Sequence, residues 1–502
     1  MLRQRPLHFV SSRLSCRYYS SELPAPRLDL RSISENTKQK AHNAHIRKAP
    51  VAPEDVQKIT DAYASWRTLQ TQLNELRNQR STLGDRLRNA PPAEKAEMLQ
   101  AASTLKQQVK ELTALVDSAE EQCMGLALLL PNDTHPDVPI GPEPSAKTIS
   151  THGPPPISAD PRRDHVGICT QFDWADLAAG ATSTGSSFYF LKNQGALLEL
   201  ALTNYALSKA IARGYTPMLT PDVVKADIAT RCGFQPRDDE RQGPSHMYTV
   251  QTHPSSPSLV LSGTAEIPIG GSLANKVLSS LSLPLRIVGY GHAFRQEAGA
   301  RSADTRGLYR VHQFSKVELF AVTSEDESEG MMQELLELQK DILEGLGLSF
   351  RYLSFPSPTL GSSSYMGLRA FLVGSFRILD MPSEELGASA YRKYDIEAWM
   401  PGRGSWGEVT SLSNCTDFQA RRLHIRYKPQ GDKTSAVNAL GKLPFAHTLN
   451  GTAAAIPRLI VALLENGAIL DEAGKVTQVT LPSALRKFWI GDAESAQIAW
   501  SD

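Results

Sequence analysis

Two long series of apolar residues near the amino terminus constrain the fold of this chain more than any other feature of its sequence. Within residues 59–87 apolar side chains recur mostly at spacings of three and four, and within residues 98–126 the same alternation runs without a break. Such spacing aligns apolar side chains along one helix face, and a heptad pattern predicts a coiled coil. Pro91 and Pro92 lie between the two series and can begin a helix but not continue one. The pattern therefore predicts an antiparallel hairpin of two helices over about residues 53–128.

The sequence also predicts the connection and the length of these two helices. The connection should run from Gly84 to Pro92, and each helix should be about 50 Å long at the usual rise per residue. Basic residues are interspersed with acidic ones along the hairpin: Arg67, Arg77, Arg80, Arg86, Arg88, Lys106 and Lys110. Such a mixture is typical of a solvent-exposed helix face. The charges alone leave open whether the hairpin is a structural coiled coil or an arm that recognises RNA.

The first 22 residues differ in composition from the rest of the chain. They are rich in arginine and serine, and no acidic residue precedes Glu22. This composition is typical of an organellar transit peptide, and the apolar runs are too short and too interrupted for a secretory signal. We therefore predict that residues 1–22 are a mitochondrial transit peptide, cleaved somewhere after Arg17, and that the mature protein is in the mitochondrial matrix. A disordered basic tail is the alternative.

Bulk properties exclude several classes of protein. A chain of 502 residues is too long for one ordinary core, and its 41% hydrophobic and 21% charged residues are those of a folded protein. The formal net charge of +0 gives no overall attraction for nucleic acid, so any RNA site must be a local basic surface. The five cysteines form no C-x-x-C pair, which argues against a zinc knuckle or a disulfide framework. No apolar run is long enough to predict membrane insertion.

Changes in composition divide the chain into segments. Residues 23–130 form a predicted N-terminal domain that contains the hairpin, and the proline-rich residues 131–160 predict an extended linker. Helical and strand patterns follow one another in residues 161–502. No G-x-G-x-x-G string follows a strand and no P-loop sequence is present, so neither a Rossmann nor a Walker nucleotide site is expected.

Residues 286–320 predict two strands joined by a loop rich in glycine and arginine. The triplet Arg-Gln-Glu at residues 295–297 closes the first strand, and Phe314, Lys316 and Glu318 alternate along the second. Alternate residues of a strand share one face. An arginine can neutralise a phosphate and a phenylalanine can stack beneath a base, so the pair of strands predicts a nucleotide site. Taken alone, the segment is better explained as a half-solvated hairpin, because short matches of this kind often occur by accident.

Further short strings accompany this segment in a fixed order. T-A-E lies at residues 264–266, V-H-Q-F at 311–314, E-V-T-S at 408–411, and N-G-T at 450–452, with Arg458 shortly after. Independent matches in one order are improbable by chance. Together with the hairpin, they resemble the seryl-tRNA synthetases of the class II aminoacyl-tRNA synthetase family, over nearly the whole chain after the presequence.

The resemblance implies an α+β fold. It consists of an N-terminal antiparallel coiled-coil arm that binds tRNA, followed by a class II catalytic domain with a mixed, mostly antiparallel sheet flanked by helices. The segment around Pro217 resembles the motif that forms the dimer interface, which implies a homodimer. The implied reaction is activation of L-serine with ATP to seryl-adenylate, then transfer of serine to the 3′ end of tRNA(Ser) for mitochondrial translation.

The resemblance also assigns roles to residues. Arg295 and Arg458 are the implied catalytic residues, the first at the α-phosphate of ATP and the second at the triphosphate tail. Glu297 is expected at the adenine amino group with Phe314 stacked on the ring, whereas the side chain of Gln296 should point away from the ligand. The implied ATP-binding set is Arg295, Gln296, Glu297, Val311, His312, Gln313, Phe314, Glu408, Val409, Thr410, Ser411 and Arg458.

A second implied set binds serine and a metal ion. The serine-binding residues are Thr264, Ala265, Glu266, Arg295, Glu318, Asn450 and Thr452. Glu408 and Ser411 are the implied Mg²⁺ ligands, and carboxylate and hydroxyl oxygens are the hard ligands that Mg²⁺ prefers. Arg301, Arg306 and Arg310 either reach the acceptor end of tRNA or form a solvated basic loop.

Three alternative functions remain. A catalytically inactive synthetase-like paralogue would have a structural or RNA-binding role, and would be expected to have lost the arginines or glutamates named above. A ligase that charges a carrier protein would lack the long hairpin. A class II enzyme for threonine or proline is disfavoured by the T-A-E and N-G-T strings.

Overall fold

The computed structural model describes residues 23–234, 247–253, 256–297, 306–348, 374–429 and 443–501. The predicted transit peptide at residues 1–22 and Arg301 lie outside the described residues. Within the described ranges, no helix combines the length and the apolarity needed to cross a membrane.

The described residues form helices and strands in mixed order. The helices are α1 (Leu30–Glu35), α2 (Thr37–Ile46), α3 (Pro53–Asn89), α4 (Pro92–Leu128), α5 (His165–Phe172), α6 (Leu177–Ser183), α7 (Asn193–Ala212), α8 (Ala226–Arg231), α9 (Glu266–Ser272), α10 (Ser328–Gly345), α11 (Phe418–Leu423) and α12 (Ile456–Gly467). The strands are β1 (Lys147–His152), β2 (Ala175–Asp176), β3 (Phe190–Leu191), β4 (Thr216–Leu219), β5 (Val223–Lys225), β6 (Thr249–Val250), β7 (Leu259–Leu261), β8 (Val277–Ser279), β9 (Leu285–Phe294), β10 (Gln313–Thr323), β11 (Phe376–Asp380), β12 (Arg392–Met400), β13 (Ser405–Asn414), β14 (Arg426–Lys428), β15 (His447–Ala455), β16 (Ala468–Leu470), β17 (Val476–Leu481) and β18 (Ile498–Trp500).

The predicted helical hairpin is confirmed, with a shorter connection than the sequence suggested. Helices α3 and α4 have 37 residues each, and Leu73, Val109 and Val116 are buried between them. The first helix continues through Gly84 to Asn89. A glycine inside a helix costs only about 1 kcal/mol, which the apolar contacts of the hairpin outweigh. The prediction that the connection begins at Gly84 is therefore wrong.

An eight-stranded sheet forms the centre of the rest of the chain. Its strand order is β1-β11-β12-β13-β15-β10-β9-β4, and every neighbouring pair is antiparallel except β4 with β9. Strands β9 and β10 are the two strands predicted within residues 286–320, paired as neighbours. The mixed, mostly antiparallel sheet flanked by helices confirms the predicted fold class.

The segment predicted as a linker packs on the sheet. Residues 147–152 form β1, which pairs with β11 at the edge of the sheet. The side chain of Asn132 donates hydrogen bonds to the carbonyl oxygens of Ser389 and Cys415, each at 2.9 Å. Open backbone groups of an edge strand favour pairing with any extended neighbour. The segment predicted as an extended linker therefore also makes specific contacts with the sheet domain.

Helices cover the two faces of the sheet unequally. On one face, α7, α10 and α12 bury a core that includes Val317, Leu319 and Ile396. On the other, which we call the site face, α8, α9 and α11 bury Phe320 and Val322 at one end. Alternation along the strands directs charged side chains to the same face beside this second core. These side chains are Lys316, Glu318, Lys393, Asp395 and Glu408.

Arg47, directly after α2, fastens the base of the hairpin to the sheet domain. Its side chain is almost fully buried, and Nη1 donates to the carbonyl oxygens of Ala390 at 2.8 Å and of Asn132 and Asp133 at 3.2 Å. Nη2 donates to the carbonyl oxygen of Gly387. One guanidinium therefore joins three chain segments that are distant in sequence.

We predict that Arg47→Leu destabilises the protein, because it leaves several buried carbonyl groups without their charged donor. Each hydrogen bond to a charged group contributes about 1.5–3 kcal/mol, so the free energy of unfolding should fall by roughly 3 kcal/mol. Urea denaturation followed by circular dichroism measures this loss. Arg31→Leu is the matched control, since Arg31 keeps 77% exposure and its pair with Glu35 is a surface pair. Equal urea midpoints for Arg47→Leu and Arg31→Leu would contradict the anchoring role of Arg47.

Candidate active site

A β-bulge decides which side chains of β13 reach the site face. The register between β12 and β13 shifts by one residue between Glu408 and Thr410, which leaves Val409 as an extra residue. An extra residue reverses the alternation of the side chains that follow it. Glu408 and Ser411 therefore project from the same face, although residues three apart in a regular strand lie on opposite faces.

A pocket forms where β9 and β10 meet the beginning of α12. Its lining residues come from three separate parts of the chain: Arg295, Glu297, Tyr309, Arg310, Val311, Phe314, Pro457 and Arg458. Five of them belong to the predicted ATP-binding set. The fold thus brings the Arg-Gln-Glu triplet, the V-H-Q-F string and the arginine of the last string together.

Arg458 is held from several directions in this pocket. Nη1 donates to Glu408 Oε2 at 2.9 Å, Nε donates to the carbonyl oxygen of Tyr309 at 3.3 Å, and the guanidinium lies 4.9 Å from the centre of the Tyr309 ring. Burial opposes the charge of Arg458, but Glu408 raises its pKa above the ordinary value. Burial alone would raise the pKa of Glu408, yet Arg458 and Lys393 lower it to about 2. The pair is therefore charged at neutral pH, with a guanidinium directed at the pocket.

Arg295 and Phe314 form the facing side of the pocket. The Arg295 guanidinium lies 5.5 Å from the centre of the Phe314 ring, and its Nε is 3.4 Å from the carbonyl oxygen of Gly263. Glu297 follows in the left-handed conformation, with φ of 47°, and accepts a hydrogen bond from Arg310 Nε at 2.6 Å. Two arginines, an aromatic ring and a carboxylate can together hold a phosphate and a stacked base.

A buried polar cluster lies on the same face, beside the pocket. Thr264 Oγ1 donates to Glu318 Oε2 at 2.9 Å, and Lys316 Nζ lies 2.5 Å from the same oxygen. Lys316 also donates to Thr264 Oγ1 at 3.2 Å, and Thr452 faces Glu318 across β10 and β15. A carboxylate and hydroxyls in a confined space suit a small ligand that carries an ammonium and a hydroxyl group.

Glu266, the first residue of α9, borders this cluster and is held by two amides. Gln419 Nε2 and Asn450 Nδ2 donate to Glu266 Oε1 at 2.6 and 2.9 Å. Thr448 Oγ1 donates to Gln419 Oε1 at 2.7 Å, which fixes the orientation of that amide. Burial, followed by the negative charge of Glu318, raises the pKa of Glu266 to about 7. Glu266 therefore changes its charge near neutral pH.

Comparison with known proteins gives the family. A model of the seryl-tRNA synthetase N-terminal domain matches residues 28–134, and a model of the tRNA synthetase class II core domain (G, H, P, S and T) matches residues 248–467. The serine–tRNA ligase of Rhodopirellula baltica is 37% identical over 469 residues, which cover 92% of this chain and 98% of that protein. The chain belongs to the seryl-tRNA synthetase family. Members of this family are ATP-dependent class II aminoacyl-tRNA ligases.

Two further relatives extend the comparison. The mitochondrial serine–tRNA ligase of Schizosaccharomyces pombe is 36% identical over 461 residues, which cover 91% of this chain and 88% of that protein. The crystal structure of seryl-tRNA synthetase from Pyrococcus horikoshii complexed with ATP has a TM-score of 0.74 at 30% identity, covering 92% of this chain and 98% of that one. The fold of this seryl-tRNA synthetase chain is thus that of its family, arm included.

Some residues of the predicted ATP-binding set direct their side chains elsewhere. The ring of His312 donates from Nδ1 to the carbonyl oxygen of Arg295 at 2.9 Å, and Gln296 Nε2 donates to the carbonyl oxygen of Met247 at 3.2 Å. Gln313 precedes Phe314 in β10 and therefore faces the opposite side of the sheet. The orientation of Gln296 away from the pocket agrees with the prediction, and the assignment of His312 and Gln313 to the ATP-binding strand stays a prediction.

The side chains of Val409 and Thr410 also point away from the pocket. Val409, the extra residue of the bulge, lies in the core beneath α10 and α12. Thr410 is 2% exposed, and its hydroxyl accepts a hydrogen bond from Gln339 of α10 at 2.8 Å. Both side chains face away from Glu408, so within this string only Glu408 and Ser411 direct side chains to the site face.

The predicted serine-binding residues and the loop arginines have distinct positions. The T-A-E and N-G-T strings meet at the polar cluster, although Ala265 packs its methyl group in the second core. Arg310 pairs with Glu297, and Arg306 Nη2 donates to Asp164 Oδ2 at 2.8 Å. In the structure these two arginines therefore have acidic partners within the chain.

Three residues that contribute to the site were missing from the predicted sets. Lys316 shares its strand face with Glu318, so the alternation of β10 could have identified it. Tyr309 and Gln419 come from a loop and from α11, and only tertiary contacts bring them to Arg458 and Glu266. No local sequence pattern signals such contacts.

The donor set on the site face fits a Mg²⁺ ion. Glu408 and Ser411 offer carboxylate and hydroxyl oxygens on one face, and Asp395 pairs with Ser411 across the strands. Asp395 Oδ1 is a buried oxygen without a hydrogen-bond partner among the described residues. Hard oxygen donors of this kind, with phosphates and water, suit the coordination that Mg²⁺ prefers.

We predict that Gly407→Ala weakens ATP binding through Tyr309. An added Cβ would lie 2.7 Å from Tyr309 Cε2 and 2.9 Å from Met400 Sδ, so the ring must shift from its present position beside Arg458. The KM for ATP should rise about tenfold, because misplacement of a binding group by a fraction of an ångström is costly. Gly330→Ala is the control, since nothing lies within 4 Å of its added Cβ. An unchanged KM for ATP in folded Gly407→Ala would refute the role of Tyr309.

Proposed function

We propose that this chain activates L-serine with ATP and transfers serine to the 3′ end of tRNA(Ser). The observation that carries this proposal is the contiguity of two sites on one sheet face. The pocket of Arg295, Phe314 and Arg458 suits a nucleotide, and the buried cluster of Thr264 and Glu318 suits a small hydroxylated ammonium. The first site supplies the phosphate to be attacked, and the second holds the amino acid that attacks it.

In the first step, the serine carboxylate attacks the α-phosphate of ATP and releases pyrophosphate. Arg295 stabilises the negative charge that builds on the α-phosphate, and Arg458 binds the triphosphate tail. Because Arg458 is already held by Glu408 and Tyr309, little ordering is needed when the nucleotide binds. Phe314 stacks on adenine, and Glu297 accepts from its amino group. The reaction needs no nucleophile from the protein.

Glu266 and Glu318 hold the amino acid during this step. Glu318, with Thr264 and Thr452 around it, binds the serine hydroxyl and ammonium, and Asn450 keeps Glu266 oriented. In the second step, a ribose hydroxyl of the terminal adenosine attacks the acyl carbon of seryl-adenylate, the acyl–phosphate bond breaks and AMP leaves. The positioned carboxylates keep the amino acid in place while tRNA enters.

We also infer the cofactor. Glu408 and Ser411 would hold Mg²⁺, with Asp395 beside them on the neighbouring strand. When bound, the ion neutralises phosphate charge and orients the triphosphate. Glu408 would then share its carboxylate between the ion and Arg458.

Assembly, domain division and location are further parts of the proposal. The surface of α7 and β4 carries exposed apolar side chains, with Leu200 44%, Ile211 47% and Leu219 81% exposed, as expected for a homodimer interface. We propose residues 23–130 as the tRNA-binding domain and residues 161–502 as the catalytic domain. The transit-peptide composition of residues 1–22 and the mitochondrial relative in S. pombe support the mitochondrial matrix.

The arginines and glutamates present in this chain argue against a catalytically inactive paralogue. Such a protein would be expected to lose the phosphate-binding arginines or the pocket glutamates. Arg295, Glu318, Glu408 and Arg458 are all present, and each makes contacts on the site face. A protein without ligase activity would have no use for four buried or half-buried charged groups held in this way.

We predict that ATP–pyrophosphate exchange by this protein depends on serine. Threonine, proline and alanine should each give exchange at least about a hundredfold slower, because a pocket built for specific polar groups rejects analogues strongly. Exchange with threonine but not with serine would contradict the assignment of serine as the substrate. Charging of tRNA(Ser) in the same preparation distinguishes a tRNA ligase from a ligase that charges a carrier protein.

We predict that the KM for serine falls as the pH rises from 6 to 8. The pKa of Glu266 is about 7, and only the ionised carboxylate attracts the serine ammonium, so affinity should improve about tenfold across this range. Initial exchange rates at varied serine and saturating ATP measure the effect. Gln419→Leu removes a donor that stabilises the ionised form, so the midpoint should move to higher pH. Glu266→Gln should abolish the dependence, and an unaltered profile in that variant would refute the assignment.

A further inference from the structure

His165, the first residue of α5, contacts Leu308 and is not among the residues that line the ATP pocket. It is 2% exposed, and its Nδ1 is 2.7 Å from Oε1 of Glu465, a fully buried residue in the last turn of α12. On the other side of the ring, the backbone N–H of Leu308 donates to Nε2 at 3.2 Å. The imidazole therefore bridges the helix and the segment that leads into the ATP pocket.

These contacts fix the tautomer of His165. A backbone N–H can only donate, so Nε2 must accept from Leu308, and the ring proton lies on Nδ1 and is donated to Glu465. Gly307 makes the close approach possible, because a Cβ at this position would lie 2.2 Å from Nε2. Asp164, His165 and Glu465 could also be taken for a metal site. With both ring nitrogens in hydrogen bonds, His165 has no lone pair for a metal ion.

Helix α12 also holds Tyr309, the residue that follows Leu308. Arg458 in the first turn of α12 donates from Nε to the carbonyl oxygen of Tyr309 at 3.3 Å. Glu465 follows seven positions later, which is two helical turns and therefore the same side of the helix. Residues 308–309 are thus fastened to α12 at both ends, through His165 at one end and Arg458 at the other.

Tyr309 is the part of this segment that touches the pocket. Its ring lies 4.9 Å from the guanidinium of Arg458 and 3.7 Å from that of Arg403. The backbone N–H of Arg403 donates to Glu465 Oε2 at 3.1 Å, so Glu465 also fixes the residue on the outer side of the ring. Release of Leu308 would therefore free Tyr309 and, with it, Arg458.

We propose that His165 is a positioning residue for ATP binding, which acts by holding Leu308 so that Tyr309 orients Arg458. This role rests on the proposed function, in which Arg458 binds the triphosphate. His165 itself touches neither ATP nor serine. Its contribution is to limit the orientations of Arg458 before the nucleotide arrives, which lowers the ordering cost of binding.

Two substitutions of His165 separate its two hydrogen bonds. In His165→Gln, the side-chain oxygen can reach the position of Nε2 and accept from Leu308. In His165→Asn, the amide can donate to Glu465 from the position of Nδ1, but Leu308 loses its acceptor. We expect His165→Asn to weaken ATP binding about tenfold and His165→Gln to stay within about threefold of the unsubstituted protein. Isothermal titration calorimetry with ATP alone measures both affinities.

The serine side of the site provides the internal control. In exchange assays, His165→Asn should raise the KM for ATP while the KM for serine stays within about twofold, because the serine cluster does not contact this segment. Equal ATP affinity in the two variants, or an equal rise in both KM values, would overturn the proposal. If His165→Asn does not fold, Gly307→Ala supplies the same test by forcing Leu308 away from the ring. If the unsubstituted protein binds ATP but shows no serine-dependent exchange, the proposed function is refuted. The ATP affinities of His165→Asn and His165→Gln would still test the role of His165.

Discussion

The burial of charged side chains on one face of the central sheet is the constraint on which the rest of the structure depends. Lys316 with Glu318, Lys393 with Asp395, and Arg458 with Glu408 each lie at 2.5 to 2.9 Å. Lys316 and Glu318 are buried and the other two pairs are partly buried, and ion pairs taken out of water rarely stabilise a fold more than apolar residues would, because desolvation offsets their attraction. Their presence is therefore explained by chemistry at the site. The helices on the opposite face supply the apolar burial that stabilises the sheet.

Two β-bulges, one in β13 and one in β15, show how such a face is assembled. A strand with strict alternation could not direct both Glu408 and Ser411 to one side, and the extra Val409 makes this possible. A similar shift in β15, at Ala453, lies next to Thr452, which faces Glu318. Each bulge thus places its extra apolar residue, Val409 or Ala453, in the core behind the site face. Bulges near active sites commonly redirect side chains in this way.

The sequence predicts those features that depend on neighbours along the chain. Apolar spacing predicts both hairpin helices, alternation predicts β9 and β10, and the prolines predict the beginning of α4. The sequence does not predict features that depend on pairing between distant segments. The extra residue at Val409 is invisible in E-V-T-S, because a bulge is defined by the register with the partner strand. The attachment of residues 147–152 to β11 depends likewise on an edge that only the folded sheet provides.

The same distinction applies within the site. Short strings in the family's order predicted the charged residues that line the pocket and the polar cluster. The residues that orient them lie elsewhere: Gln419 holds Glu266 from α11, and Tyr309 holds Arg458 from a loop. Their side chains are ordinary ones for their local elements, so only tertiary contacts reveal them.

Hydrogen bonds also connect the serine cluster to the base of the arm. Arg47 and Asn132 bind the loop around Ala390 and Cys415, and Asn450 Nδ2 lies 3.4 Å from Cys415 Sγ and 2.9 Å from Glu266 Oε1. The hairpin therefore cannot rotate at its base without breaking buried hydrogen bonds that also border the pocket. Because each such bond is costly to leave unmade, the arm and the sheet domain keep a fixed relation at this point. Any bending that lets the arm follow a large ligand is expected further along α3 and α4, where the two helices pack on each other through Leu73, Val109 and Val116.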